Sequence, residues 1–337
     1  MSEKTDRRSF LNQAWLGAAG IGAAYGAGIR QPATATAANT DSESSAAEPA
    51  DQGLPTGKIG TVSMSRMLIG GNLIGGWAHS RDLIYVSRLF REYNTEAKVF
   101  ETLELAESSG IDTIQIDPAC CDVVEKYRKR GGKIQTMICM SPDPNEEAMR
   151  EQIQRLIDWG ATLLYAHGGV ADRMIMTKRP DVLARAIELI KEQGVPAGIG
   201  SHSLLVPIAC EEEGVGAEYY VKTYHLDRYW SATPKEYREE WCWHTGRSSD
   251  RTGYHDNIWD LDSEKTAEFF ASVHKPWVAF KVLAAGALPP HVGILSAYRA
   301  GADFTIVGMF DFQVAQNVGI ARDAIHRSRN RSRPWCA

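Results

Sequence analysis

Two lysines stand in short apolar runs that read as strands, Lys222 in Tyr219–Tyr224 and Lys281 in Val278–Ala284. Alternation sends Val221 to one face and Tyr220, Lys222 and Tyr224 to the other. In the second run Val278, Phe280 and Val282 share a face, which leaves Ala279, Lys281 and Leu283 opposite. If both lysines point into one enclosed space, burial and like charge depress their pKa values, and such an amine attacks carbonyl carbon to form a Schiff base. Asp117, His202 and Tyr224 fall at strand ends where they could carry protons for Lys222 or Lys281. The plainer reading makes each lysine a structural ion pair, with Asp117 or Asp311 as partner.

The histidines point to a second chemistry. His167, His202 and His225 close three successive strand candidates, and a His/Asp ring of that kind can hold a divalent metal and activate water. No H-x-H or H-E-x-x-H spacing accompanies them. The lysine reading needs no cofactor; the histidine reading, in which His167, His202 and His225 are ligands, needs the metal.

Eight strand candidates must position these groups: Arg66–Ile74, Thr113–Asp117, Ile134–Met140, Leu163–His167, Ala197–His202, Tyr219–Tyr224, Val278–Ala284 and Phe304–Met309. Helical periodicity appears between them at Ala97–Ser108, Asp122–Arg130, Glu146–Trp159, Pro180–Gln193, Ser263–Val273, Pro290–Ala300 and Gln313–Ser328. Gly110, Gly131, Gly160, Gly194, Gly214 and Gly301 each stand where a helix ends before the next strand, the place for a left-handed residue. Eight strand–helix units in about 270 residues predict a (β/α)8 TIM barrel over residues 61–330. In that fold the C-terminal strand ends carry the chemistry, so Gln115 and Asp117 on the second strand point inward, as do Gly198, Gly200 and His202 on the fifth.

A long aromatic-rich insertion follows the sixth strand, over residues 226–262. Trp230, Trp241, Trp243 and Trp259 lie in it among Tyr229, Tyr237 and Tyr254. A loop of this length in a compact domain is usually functional. Its rings suit a lid over a flat polar or carbohydrate-like ligand, with His255, Asp256 and Asn257 as polar tip and Trp230 and Trp259 as stacking surfaces. A subunit interface of a homo-oligomer uses the same residue types, and a non-catalytic carbohydrate-binding barrel would keep the same lid.

The chain has 337 residues, with 37 Lys and Arg against 42 Asp and Glu, net −5. This balance argues against a nucleic-acid partner, which calls for a basic surplus. Residues 1–37 differ from the rest: four basic residues (Lys4, Arg7, Arg8, Arg30) against Glu3 and Asp6 give +2 there, which leaves −7 elsewhere. Arg7-Arg8-Ser9-Phe10-Leu11, an Ala/Gly-rich apolar run from Ala14 to Ile29, and Ala35-Thr36-Ala37 stand in the order of an export signal. The five residues from Arg7 resemble the twin-arginine signal, with Asp6 and Asn12 departing from its flanks. That resemblance implies the twin-arginine export machinery as a partner and an extracytoplasmic, periplasmic destination. The apolar run is too short and glycine-rich for a stable membrane anchor. Residues 38–60 read as a disordered spacer.

Val282-Leu283-Ala284-Ala285-Gly286-Ala287-Leu288 and Ala300–Gly308 resemble the last two units of aldolase-type barrels. That likeness implies lyase or aldolase-like chemistry, a Schiff-base lysine at Lys222, and substrate contacts from the loops at Gly286, Gly308 and Asp311. His167, His225 and the lid residues complete the expected binding surface for a small polar carbonyl substrate. The front half is similar to the aldo-keto reductases in Met67–Trp77 and Gly110–Ala119, with Asp117 and His167 where that family has its Asp and His. Cys120-Cys121-Asp122 stands where its tyrosine belongs, and Met137–Cys139 where its lysine belongs.

Overall fold

A computed structural model describes residues 53–79, 83, 85–245 and 258–337. The segment expected as export signal, and His255, Asp256 and Asn257, lie outside the described residues. The chain divides into two units, Met1–Ala50 and Asp51–Ala337, and everything below concerns the second.

Eight parallel strands close into a barrel in sequence order. They are β3 (Met67–Gly70), β4 (Thr113–Ile116), β5 (Gln135–Met140), β6 (Leu163–Ala166), β7 (Ala197–Ser201), β8 (Tyr219–Thr223), β9 (Trp277–Phe280) and β10 (Phe304–Val307), with β10 returning to β3. The expected TIM barrel is the fold, and the long insertion follows its sixth strand, β8. An antiparallel hairpin precedes the barrel, β1 (Thr56–Ile59) with β2 (Val62–Ser65). Its first strand falls inside the stretch expected as disordered spacer, because Ile59 and Met64 bury themselves with Leu68 and Phe304 in the barrel interior.

The helices are α1 (Val86–Tyr93), α2 (Glu96–Ser108), α3 (Cys121–Lys129), α4 (Glu146–Asp158), α5 (Gly168–Met176), α6 (Pro180–Lys191), α7 (Leu205–Glu212), the short α8 (Cys242–Thr245), α9 (Ser263–Ser272), α10 (Pro290–Ala300) and α11 (Val314–Arg327). Thr95 caps α2 and Asn145 caps α4 by accepting from backbone N–H groups. The six glycines expected past helix ends all have positive φ. Helices α1 and α5 have no counterpart in the sequence reading, and α7 is implied only by Gly214 at its end; Gly168-Gly169 opens α5 and Pro207 sits in the first turn of α7, both obscuring the period.

Two apolar layers define what is inside. Leu68, Met137, Cys139, Leu163, Tyr165, Tyr219, Val221, Val278 and Ile306 fill the barrel, while Tyr220, Trp277 and Ala279 join the layer beneath the helices. The facing expected for the sixth and seventh strands is therefore reversed. Both faces of these strands are apolar, and the branched residues went inside, as barrel interiors favour. Trp277 stacks on Phe270 of α9 at 4.4 Å instead. Gly198 and Gly200 on β7 make room for the interior tyrosines: a Cβ on Gly198 would lie 2.5 Å from the Tyr219 ring, and one on Gly200 2.9 Å from the Tyr165 ring. No helix among the described residues is long and apolar enough to cross a membrane.

Candidate functional site

The C-terminal strand ends surround a cavity of about 290 Å³, small for a ligand pocket. Trp77, Gln115, Trp259, Phe280, Lys281 and Leu283 are among its walls.

Lys281 reaches this cavity against the strand's alternation. With Val278 and Phe280 inward, the next side chain should face the helices. Its backbone instead adopts φ 58°, which non-glycine residues rarely do. The turn carries the ammonium over the Trp259 ring, 4.1 Å from its centroid and 5.7 Å from that of Phe280. A cation over an indole face is stabilised by the ring quadrupole. Backbone strain of this kind concentrates at functional sites.

His202 follows β7, and its ring packs on Trp259 and Phe280, two of the cavity's walls, with centroids at 5.2 and 5.7 Å. Its Nδ1 lies 2.8 Å from Oδ2 of Asp172, a fully buried carboxylate on α5. Asp172 also accepts from the backbone N–H of His202 and Ser203 and from Nε1 of Trp243 in the insertion. A carboxylate accepts only, so Nδ1 of His202 carries the hydrogen and Nε2 is the basic atom. Burial pulls the imidazole pKa down to about 4. The attraction of Asp172 opposes that fall, while Lys281 and His167 add to it. At neutral pH His202 is a neutral, oriented base. Sequence reasoning missed Asp172 because it lies on the unexpected helix α5; an aspartate beside buried Ala171 was the available signal.

Lys222 is not inside the barrel. Its fully buried ammonium lies on the helix side and donates to the Thr223 carbonyl at 2.7 Å, to Thr223 Oγ1 at 3.0 Å and to Asp260 Oδ1 at 3.3 Å. The expected convergence of two lysines is thus corrected: Lys222 forms the structural ion pair, with Asp260 as a partner not anticipated. His225 is corrected as well. Its Nε2 accepts from the backbone N–H groups of Trp259 and Asp260, and its Nδ1 donates to the Leu226 carbonyl. Both nitrogens hold backbone, so His225 cannot complete a metal triad with His167 and His202. Among the described residues no group of three His, Cys, Asp or Glu could hold a metal ion. Lys222 pins the return of the insertion at Asp260, while His225 separately holds the Trp259 backbone.

Asp117 caps the turn after β4, accepting from the Ala119 N–H at 2.9 Å, and its other oxygen lies 3.7 Å from the Cys139 sulfur. Burial pushes the Cys139 thiol and the Tyr165 hydroxyl well above their ordinary pKa values. Gln115 donates to the Tyr165 hydroxyl at 2.8 Å. His167 stands before α5, close enough for its charge to bear on His202. Tyr224 is not at the mouth; it packs edge-on against Trp277 beneath the helices. Trp230 is 98 % exposed and covers nothing.

Of the loop residues expected to contact substrate, Gly286 and Gly308 line the cavity. Gly286 borders the cavity, but Pro289 and Pro290 open the following helix and offer no N–H. A Cβ on Gly308 would meet Leu73 at 2.8 Å. The Phe310 N–H is taken by Gln313 Oε1, and Asp311 brings a carboxylate held by Tyr93 at 2.6 Å and Lys98 at 3.0 Å. Neither the proline-opened helix after Gly286 nor the carboxylate of Asp311 favours a phosphate at these two loops.

No protein-family model matches the chain, and no curated protein matches it. Similar solved structures include a mandelate oxidase with 3,3-difluoro-2-hydroxy-3-phenylpropionic acid (13 % identity, 84 % of this chain, 80 % of that one, TM-score 0.48). A mandelate oxidase variant with a C4a-OH-FMN adduct is similar at 13 % identity over 83 % of this chain and 79 % of that one, TM-score 0.49. A mutant flavocytochrome b2 with pyruvate bound is similar at 12 % identity over 84 % and 69 %, TM-score 0.48. At these identities the likeness shows the barrel fold alone. One of these structures holds an FMN adduct, against the expectation that no cofactor is required; Pro289, Pro290 and the Asp311 carboxylate do not suit a phosphate-bearing flavin at the last two loops of this chain.

Proposed function

We propose that the chain is a barrel enzyme that takes a proton from a small hydroxy or oxo acid at the barrel mouth. His202 serves as general base through Nε2, oriented by Asp172, and the Lys281 ammonium holds the substrate's carboxylate or the anion that develops on proton loss. The observation that carries this reading is the shared wall: the His202 ring and the Lys281 ammonium both pack on Trp259 and Phe280, two residues that line the cavity. Lyase or isomerase outcomes both begin with this step. Incubating the protein in D2O with small hydroxy and oxo acids and following loss of the carbon-bound proton by NMR tests it; no exchange with any such acid overturns it. We propose in addition that residues 1–37 direct export through the twin-arginine route, on the order of charged, apolar and small-residue segments.

A further inference from the structure

Helix α1 stands at the rim of the mouth, and none of its residues is buried. Its inner side is anchored. The Phe90 ring packs edge-on against Phe310 at 5.4 Å, and the Asn94 amide donates to the Leu73 carbonyl at 3.1 Å. Phe90 and Phe310 both line the cavity. The outer side is an apolar row in solvent. Tyr85, Leu89 and Tyr93 stand four residues apart, and so in one row along the helix; they are 63 %, 55 % and 36 % exposed. Phe312, 70 % exposed, continues the row from Tyr93, with ring centroids 6.5 Å apart. A contiguous exposed apolar row marks an interaction surface.

The row reads the same from either end, Tyr-Leu-Tyr about Leu89. A two-fold axis through Leu89 sets it antiparallel on itself: Leu89 meets Leu89 of the second copy, and each Tyr85 lies level with the other copy's Tyr93. Rows of residues four apart interlock in the commonest class of helix packing. The flank is self-complementary as well. Arg88 and Glu92 lie on one side of the row, 3.7 Å apart within the chain. In the antiparallel pair each Arg88 comes within about 3 Å, along the helix axis, of Glu92 of the other copy.

We infer that this row is the core of an interface between two copies of the chain, related by a two-fold axis through Leu89, with Phe312 extending it and Arg88 and Glu92 at its rim. Tyr, Phe and Arg are the residue types enriched in such interfaces, and a two-fold contact of one surface with itself is the commonest form of homo-oligomer. A lipid surface would favour basic residues alone on the flank, where Glu92 stands. A stable interface covers about 800 Å² per partner. A two-turn helix with one added ring supplies less, so association is weak, with a Kd on the order of 10 μM.

The test is sedimentation velocity of the full chain and its variants across concentrations that span that Kd. The unaltered protein passes from monomer to dimer. Leu89→Asp stays monomeric with its thermal midpoint unchanged, because the leucine is exposed. Arg88→Glu alone and Glu92→Arg alone each weaken association about tenfold, since like charges then face each other across the axis. An equimolar mixture of these two variants associates as the unaltered protein does, because each copy supplies the charge the other lacks. A monomer at every concentration, or a dimer that Leu89→Asp leaves intact, overturns the inference. A mixture no tighter than either variant alone overturns the antiparallel pairing on which it stands. A monomer that floats with phosphatidylcholine vesicles, and loses this with Leu89→Asp, overturns it in favour of a lipid surface.

Discussion

His202 and Asp172 meet at 2.8 Å, the histidine from the end of β7 and the aspartate from the helix after β6. The carboxylate binds the histidine twice, at its ring and at its backbone N–H, so it fixes both the tautomer and the position of the ring. Asp172→Asn keeps the volume and removes the charge, and the amide can donate where the carboxylate accepted. Proton exchange at the substrate carbon should fall about 100-fold or more in that variant. A rate within threefold of the unaltered protein would show that Asp172 orients nothing of consequence.

The depressed pKa of His202 has a sign that stability measurements can read. The imidazole titrates near 6.5 when unfolded and at about 4 when folded. The unfolded chain therefore takes up the proton first as pH falls. The stabilising contribution is complete above pH 6.5 and is lost progressively down to about 4, by an amount of the order of 3 kcal/mol. Denaturant unfolding of the protein and of His202→Gln across that window should show the variant losing less stability on acidification. Parallel curves would contradict the burial of a neutral ring.

Lys222 and Asp260 predict a separation of stability from chemistry. Lys222→Ala leaves a buried carboxylate without its partner, and such losses cost about 3–5 kcal/mol. The thermal midpoint should drop sharply, while proton exchange per folded molecule at low temperature stays within a few-fold. Lost exchange at unchanged stability would restore Lys222 to the chemistry.

Lys281→Met removes the only lysine that lines the cavity among the described residues. Binding of small carboxylic acids should weaken about tenfold or more, since a hydrogen bond to a charged group contributes about 1.5–3 kcal/mol. Trp230→Ala serves as the control, because its ring stands in solvent; neither affinity nor stability should change beyond about 0.5 kcal/mol.

The barrel was legible because its strands and helices alternate in length and because glycines mark the helix ends, both written locally. The facing of β8 and β9 was not. Tyr220 beside Val221 and Trp277 beside Val278 are apolar on both sides, so alternation carries no sign when one face meets the barrel and the other the helices. That ambiguity placed Lys222 inside. Lys281 was named at the site by the same reversed reading, and only its left-handed backbone brings it to the cavity. His202 was legible as a strand-end residue, whereas Asp172 and Asp260 are brought to their partners by tertiary packing from about 30 and 38 positions away.

The central claim is that His202 removes a proton from an acid bound beside Lys281. The most direct test is the D2O exchange rate of one bound hydroxy or oxo acid, compared between the unaltered protein and His202→Gln, with thermal unfolding confirming that both are folded. The account predicts a fall of at least about 100-fold in the variant with binding of the acid retained. Exchange at an unchanged rate in a folded His202→Gln protein would contradict it.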